Sequence, residues 1–429
     1  MDEMDGERDS AICHLLSCRR SGRPNSRPSI LKSTLAAALL SLAVCSSAAS
    51  AQVSSSQIDA IFTSLKSSAA PGAAVLVVRN GRPVFRRGYG VTDLRTKTKI
   101  DAHTNFRLAS FTKQFTAACI MLLEHDGKLH YDDHLTAFFP EFPEYGKSIT
   151  VRNLLNHTSG LPDYEELLMK QYPNTPPDQV PQILDAGVLK LLEQQSSGEF
   201  PAGSKWEYSN SGYAVLAMIV EKVSGKPFGQ FLHERIFAPL KMTSTLAYEK
   251  GKNEVPNRAY GHSKKEETNK DKAKTGQAKT AEKKTDAKPG DVSKTDEIWQ
   301  QTDQSPTSAV LGDGGIYCSL VDLAKWDRAL RDHTLLSAVE MLPALTPVEP
   351  TGGPAKFSDG ATLSYGFGWF LDPYRGRKRM SHDGSTIGFR TTIQRFPGDS
   401  LTIIILSNRS DQNPETLALK VADLYLASE

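Results

Sequence analysis

Runs of apolar residues mark strands near both ends of the chain. Residues 73–78 and 83–89 form two such runs joined by Asn80-Gly81, which is a strong signal for a β-hairpin. Near the C-terminus, alternating or continuous apolar positions predict four more strands, over residues 365–371, 378–382, 389–396 and 401–407.

Helical periodicity dominates between these strands. Phe111, Phe115, Ala118 and Leu122 recur at helical spacing and predict an amphipathic helix over residues 111–124. Further helices are predicted over residues 52–70, 151–155, 211–223, 320–330 and 415–427. Strands at both ends with helices between them predict an α+β protein, in which an antiparallel sheet built from both termini is flanked by helices and carries an inserted helical subdomain.

The composition changes abruptly over residues 262–297. Between Lys264 and Glu297, ten lysines face eight acidic residues, and Val292 is the only large apolar residue. Such a segment cannot bury enough apolar surface to offset the entropy lost on ordering, so we predict a disordered surface insertion. The alternative, a basic binding helix, lacks the apolar stripe that it would need.

Residues 1–51 have the order of charge and apolarity typical of a secretory signal peptide. Basic residues precede an apolar run over residues 35–44, and small residues then lead to Ala49-Ser50-Ala51. The run is shorter than the roughly 20 apolar residues of an ordinary membrane span. We therefore expect export to the periplasm or the medium, with residues 52–429 as the mature domain. A lipoprotein anchor at Cys45 is the alternative.

The charge balance gives no reason to expect a nucleic-acid partner. The formal net charge is +2, and the lysine-rich run is interleaved with acids. Beyond the signal, two cysteines remain, Cys119 and Cys318. A disulfide between them is one alternative in an oxidising compartment, but we expect buried thiols. We also expect a monomer without a transmembrane span.

Ser110-Phe111-Thr112-Lys113 opens the predicted helix over residues 111–124. A serine followed three residues later by a lysine places both side chains on one helical face, about one turn apart. Serine is a poor nucleophile unless a neighbouring group activates it, and an amine is one such group. The pair is therefore a candidate nucleophile with its activating partner, although so short a pattern is weak by itself.

A second motif, Tyr208-Ser209-Asn210, comes just before the predicted helix over residues 211–223. A nearby ammonium favours the phenolate form of tyrosine, so Tyr208 could accept the serine proton. Asn210 offers a carboxamide that can hydrogen-bond both a substrate amide and a lysine. The alternative for Tyr208 is a half-buried aromatic residue in a turn.

The third motif, His382-Asp383-Gly384-Ser385, lies at the end of the predicted strand 378–382. A glycine beside a reaction centre lets substrate approach the backbone closely. The backbone N–H of Ser385 could join that of Ser110 to form an oxyanion hole. His382 would line the cleft, where it could bind substrate or shuttle a proton.

The order of these three motifs resembles that of the penicillin-recognising serine hydrolases. It is most similar to the branch shared by class C β-lactamases, D-alanyl-D-alanine carboxypeptidases, D-aminopeptidases and related esterases. The resemblance runs from about Gln57 to the C-terminus and is interrupted by the lysine-rich segment. It also covers residues 154–162 (LLNHTSGLP), 312–315 (GDGG) and 365–369 (YGFGW).

This resemblance implies a β-lactamase/transpeptidase-like fold and a role for each motif. Ser110 would be the acylated nucleophile, Lys113 its activating partner, and Tyr208 the general base and then the general acid. Asn210 would position the substrate, and His382 stands where β-lactamases usually have a lysine.

That last position is a departure from the β-lactamases, which usually carry Lys-Thr-Gly where this chain has His382-Asp383-Gly384. Histidine is only partly charged near neutrality, and Asp383 would repel a substrate carboxylate if it faced the cleft; it could equally point away. We therefore expect an exported serine hydrolase that acts on a peptide amide or ester, like a D-Ala-D-Ala carboxypeptidase, a D-aminopeptidase or an esterase. The alternatives are a true class C-type β-lactamase and a penicillin or peptide sensor without turnover.

No cofactor and no metal are expected. His125, His130 and His134 could suggest a metal site, but their spacing places them on different helical faces or in a turn.

Overall fold

Helices and strands alternate along residues 53–265 and 298–426, the parts of the chain that this computed structural model describes. The strands are β1 (Ala73–Arg79), β2 (Arg82–Tyr89), β3 (Phe106–Arg107), β4 (Leu246–Ala247), β5 (His262–Lys264), β6 (Trp299–Gln301), β7 (Ile316–Cys318), β8 (Met380–Thr386), β9 (Phe389–Phe396) and β10 (Leu401–Ser407).

The α-helices are α1 (Ser55–Ile61), α2 (Lys113–His125), α3 (Leu135–Phe138), α4 (Val151–Leu155), α5 (Tyr164–Gln171), α6 (Asp185–Glu193), α7 (Asn210–Ser224), α8 (Phe228–Leu232), α9 (Leu311–Gly314), α10 (Leu320–Asp332) and α11 (Pro414–Leu426). Short 3₁₀ turns occur at Thr63–Leu65, Ala109–Thr112, Glu144–Ser148, Pro177–Gln179, Pro343–Leu345 and Pro397–Asp399, and a π-helical turn follows α8 at His233–Phe237.

Five strands from the two ends of the chain form one antiparallel sheet, in the order β2-β1-β10-β9-β8. The first strand pairs with the last along its whole length, from Ala73 opposite Ser407 to Arg79 opposite Leu401. The predicted hairpin and the predicted sheet from both termini are therefore confirmed.

The central strand β1 is apolar from Ala73 to Val78 because both faces of this sheet are covered. In β1, Leu76 and Val78 pack into the large core beneath the helical region, whereas Val75 and Val77 pack on the opposite face with residues of α1 and α11. A strand buried on both faces needs apolar residues at every position, so simple alternation is lost.

The helix predictions hold closely where apolar periodicity and caps agree. Helix α4 matches the predicted bounds, and its N-cap Thr150 forms a capping box with Asn153. Helix α7 ends at Gly225, whose φ of 68° is the left-handed conformation that favours glycine.

Two predictions about secondary structure and order are wrong. Residues 365–371 do not form a strand; they make only isolated bridges, at Tyr365 with Phe370 and at Phe370 with Ser381, and the rings of Tyr365 and Phe370 pack edge to face. The predicted insertion also begins too early, because His262–Lys264 is a largely buried strand that pairs with β6. The other predicted disordered residues, 266–297, lie outside the described residues.

The predicted signal peptide and the candidate anchor Cys45 also lie outside the described residues. Within the part that is described, none of the helices has the length and apolarity to cross a membrane. Cys119 and Cys318 are both buried thiols, as expected. Burial raises the pKa of each well above that of an ordinary thiol.

Candidate active site

Ser110 lies in the 3₁₀ turn that leads directly into α2. The predicted helix is thus confirmed from Lys113 onward, with a tighter first turn. Ala109, immediately before the serine, has a φ of 50°, a left-handed conformation that L-residues seldom adopt and that often occurs at functional sites. The turn leaves Ser110 partly exposed at the base of a cleft, while its neighbours are buried.

Lys113 is completely buried and directs all three of its ammonium protons to fixed acceptors. Its Nζ donates to Ser110 Oγ at 3.3 Å, to Asn210 Oδ1 at 2.8 Å and to the backbone oxygen of Asp313 at 3.1 Å. Because an ammonium has three donors, this arrangement fixes the amine beside the serine. The structure therefore brings Asn210, which is distant along the chain, to the predicted pair Ser110 and Lys113.

Tyr208 lies over the same ammonium. Lys113 Nζ is 4.9 Å from the centroid of the Tyr208 ring, and the ring hydroxyl is buried without a hydrogen-bond partner among the described residues. Buried polar groups are nearly always paired, so an unpaired hydroxyl in this position is available to a substrate or to a proton in transit.

The turn that carries Tyr208 is held on both sides by one residue, His157. The backbone oxygen of His157 accepts from the N–H of Glu207 at 2.9 Å, and its ring Nδ1 accepts from the N–H of Ser209 at 3.0 Å. The imidazole also packs on the Tyr208 ring, with 4.4 Å between centroids. Burial, followed by the charge of Lys113, lowers the pKa of His157 well below its usual value, so the ring is neutral and acts as an acceptor.

The glycine-rich turn at α9 is a second structural element that positions a partner of Lys113. Asp185, at the start of α6, accepts from the backbone N–H groups of Leu311 and Gly312 at 2.8 and 3.0 Å. Thr116 of α2 donates to the backbone oxygen of Gly312 at 2.6 Å. These contacts hold the turn against α2 and so present the oxygen of Asp313 to Lys113.

The Beta-lactamase family model matches residues 58–427. The chain belongs to this family. It is 30% identical to penicillin-binding protein 4* of Bacillus subtilis (strain 168) over 357 residues, which are 82% of the chain and 71% of that protein. It is also 29% identical to a D-aminopeptidase of Brucella anthropi over 340 residues, 79% of the chain but only 56% of that relative.

The fold likeness extends to solved structures. The D-amino acid amidase from Ochrobactrum anthropi SV3, complexed with L-phenylalanine amide, superposes with a TM-score of 0.67 at 23% identity, covering 87% of the chain and 97% of the amidase. The family and its fold are therefore as the motif order implied, and the relatives support a serine hydrolase.

The third motif lacks the positive charge that the lysine of β-lactamases would supply, because His382 is uncharged. The side chain is 1% exposed; its Nδ1 donates to the backbone oxygen of Asp383 at 2.7 Å, which leaves Nε2 to accept from the hydroxyl of Tyr365 at 3.2 Å. Burial and then the charge of Lys113 lower the pKa of His382 to about 3. His382 therefore cannot provide a cation for a substrate carboxylate near neutral pH.

The orientation of Asp383, which the sequence left open, is away from the cleft. Its Oδ1 accepts from Thr392 Oγ1 at 2.5 Å on the neighbouring strand β9. Burial, and then the negative charge of Glu415 in α11, raises the pKa of Asp383 to about 7. It lies between the sheet and the C-terminal helix and does not repel substrate.

Gly384 serves the packing of the protein. A Cβ atom at this position would lie 2.0 Å from the backbone oxygen of Leu108 and 2.3 Å from Oγ1 of Thr391. The glycine therefore lets β8 approach the segment that leads into Ser110. The close approach observed at Gly384 is that of the protein backbone, and the close approach of substrate stays a prediction.

The cleft above Ser110 contains a carboxylate that the motif analysis missed, Glu165 in the first turn of α5. Glu165, Asn210 and Ser385 all line this cleft, and Asn210 Nδ2 donates to Glu165 Oε1 at 3.4 Å. Desolvation, and then the negative charge of Asp313, raises the pKa of Glu165 to about 7. No pattern around Glu165 indicates a site, because its role depends on residues far away along the chain.

Proposed function

We propose that this protein is an exported serine hydrolase that forms an acyl-enzyme on Ser110 and cleaves the amide bond of a substrate with an unsubstituted amino group, as an aminopeptidase or amidase does. The observation that carries the proposal is the buried Lys113, which contacts both Ser110 and Asn210 beneath the unpaired hydroxyl of Tyr208.

In the first step, Ser110 Oγ attacks the substrate carbonyl carbon while its proton passes to the side-chain oxygen of Tyr208, which acts as the general base. The tetrahedral intermediate then collapses: the C–N bond breaks and Tyr208 returns the proton to the leaving amine. The N–H groups of Ser110 and Ser385 stabilise the negative oxygen. Asn210 Nδ2 positions the substrate amide.

In the second step, water attacks the acyl-enzyme. Tyr208 takes a proton from this water and returns it to Ser110 Oγ as the acid product leaves. Lys113 remains bonded to Asn210 throughout and keeps the amine next to the serine oxygen.

Glu165 supports a substrate with an ammonium group. It is a carboxylate at the mouth of the cleft, within hydrogen-bond distance of Asn210, where the acyl part of a substrate would lie. The resemblance to a D-aminopeptidase points to the same substrate class. The neutral His382 favours this reading over a β-lactamase, because no cation at that position would bind the carboxylate of a β-lactam.

Covalent labelling tests the nucleophile. A fluorescent fluorophosphonate and a fluorescent penicillin should label the wild-type protein, whereas the matched variant Ser110→Ala should remain unlabelled while keeping its melting temperature. Equal labelling of the variant would refute the assignment of Ser110.

A substrate panel then separates the alternatives. D-Aminoacyl amides, D-Ala-D-Ala peptides, short-chain esters and a chromogenic cephalosporin should be compared on the same preparation. We expect hydrolysis of the amides with an unblocked amine, and loss of most of this activity when the amine is acetylated. Fast cephalosporin turnover would favour a β-lactamase, and labelling without any turnover would favour a sensor.

Glu165→Gln tests amine recognition. The variant should raise KM for the unblocked amide and leave the rate on the acetylated analogue or on an ester unchanged. In the wild type, binding of the ammonium should strengthen as the pH rises through about 7 and Glu165 ionises, then weaken as the substrate amine loses its proton near pH 8.

Export is tested by expressing the full chain in a Gram-negative host and measuring the mass of the periplasmic product. Cleavage after Ala51 should leave Gln52 as the first residue. A product that retains residues 1–51 would refute the signal peptide, and a lipid mass on Cys45 would identify an anchored form.

A further inference from the structure

A second groove is lined by Tyr208 but not by Ser110. Its volume is about 660 Å³, and its walls come from residues 204–208, residues 352–358 and Phe370. Tyr208 lines this groove and also lies over Lys113, so one residue borders both the groove and the site where proton transfer is proposed.

The apolar wall of the groove is aromatic and open on one side. Phe357 is stacked on Phe370, with 6.0 Å between centroids and 17° between planes, and Trp206 packs edgewise on Phe370 at 6.4 Å. Phe357 is nevertheless 40% exposed. An exposed aromatic ring with a stacked ring behind it offers a face on which another flat apolar group can be buried.

The same groove has a cationic rim. Lys205 pairs with Glu207, whereas Lys356 makes no ion pair within the described residues and remains exposed beside Phe357. An exposed ammonium next to an aromatic platform complements a group that is apolar and also carries a negative charge.

We propose that this groove is the subsite for the leaving group, and that it binds a C-terminal aromatic residue, with its ring on Phe357 and Trp206 and its free carboxylate near Lys356. This inference rests on the proposed function, in which Tyr208 gives a proton to the leaving amine. The leaving amine must then lie against Tyr208, so the part of the substrate attached to it enters the groove that Tyr208 lines. The amino end of the same substrate lies on the other side of Ser110, near Glu165.

The kinetic test compares three substrates with the same acyl group: D-Ala-D-Phe, D-Ala-D-Ala and D-alaninamide. Burying an aromatic ring should raise kcat/KM for D-Ala-D-Phe at least about tenfold above that for D-Ala-D-Ala. Phe357→Ser should bring this ratio close to one. Val339→Ser, which alters another exposed apolar residue outside the groove, is the matched control and should leave the ratio as in the wild type. A wild-type ratio near one would overturn the subsite.

Binding is measured separately, so that a failure of the proposed hydrolysis does not decide the outcome for the groove. In calorimetric titrations with Ser110→Ala, D-Ala-D-Phe should bind at least about tenfold more tightly than it binds to Ser110→Ala/Phe357→Ser. Its C-terminal amide should bind about threefold more weakly than the acid, and Lys356→Gln should abolish this difference. Equal affinities, or no binding to either protein, would overturn the subsite; absence of amide hydrolysis with groove-dependent binding would overturn the proposed function alone.

Discussion

The hold of His157 on the Tyr208 turn can be tested with two substitutions that separate its hydrogen bond from its ring. Asparagine places an oxygen near the position of Nδ1 and tolerates the left-handed φ of 62° found at His157. Phenylalanine keeps an aromatic ring but has no acceptor for the N–H of Ser209, which His157 Nδ1 accepts at 3.0 Å.

The structure sets the expected magnitudes. In His157→Phe, the unpaired N–H of Ser209 should cost about 1–3 kcal/mol, and the turn is then released on one side of Tyr208. A displacement of about 1 Å at a proton-transfer group can lower the rate roughly 10²-fold. In His157→Asn, loss of the buried ring should cost roughly 1–3 kcal/mol of folding free energy, but the bond that holds the turn is kept.

The assay measures kcat and KM for one amide substrate, together with the melting temperature, for both variants. We expect similar losses of stability but different losses of kcat: about 10²-fold for His157→Phe and less than about tenfold for His157→Asn. KM should change little in both. If the two variants lose kcat equally, or if the phenylalanine variant retains it, the hydrogen bond to Ser209 does not position the base.

Other perturbations test the framework of the site. Asp327→Ala should lower the free energy of unfolding by about 3–5 kcal/mol, because it strands the buried Arg395, whose Nε donates to Asp327 Oδ1 at 2.8 Å; replacing both partners with apolar residues should cost less in a denaturant titration. Asp383→Asn should stabilise the protein increasingly between about pH 4 and pH 7, as seen in the melting temperature. The raised pKa of Asp383 means that the folded protein binds its proton more tightly than the unfolded chain, so wild-type stability falls as the pH rises through that window, and a variant whose advantage does not grow with pH contradicts this assignment. Gly384→Ala should lower both the melting temperature and the rate of nucleophile labelling, since its Cβ would meet the backbone oxygen of Leu108; a normal labelling rate would show that this approach is not needed.

Local patterns were sufficient for most of the secondary structure. The Asn80-Gly81 hairpin, α4 and α7 were predicted because each combines an apolar period with its own turn or cap residues, all within one short segment. The same holds for the helical spacing that places Ser110 and Lys113 within 3.3 Å of each other.

The failed strand over residues 365–371 shows where local patterns mislead. Its alternating aromatic residues resemble a half-buried strand, but the rings of Tyr365 and Phe370 pack against each other and against His382. A hydrophobic period of two residues indicates that alternate side chains are buried. It does not indicate whether the backbone pairs with a neighbouring strand.

The order of the three motifs in the sequence predicts the family and the candidate nucleophile. The sequence does not determine three other properties of the site: the charge of His382, the direction of Asp383 and the proposed role of Glu165. Each depends on a group that folding brings from a distant segment. These groups are the ammonium of Lys113, the carboxylate of Glu415 and the amide of Asn210. Spacing along one helix or turn is a local property, whereas burial and the electric field at a side chain are sums over everything packed around it. For this reason the chain alone indicated a candidate nucleophile, and the packed structure was needed to find the charges on which the proposed substrate class rests.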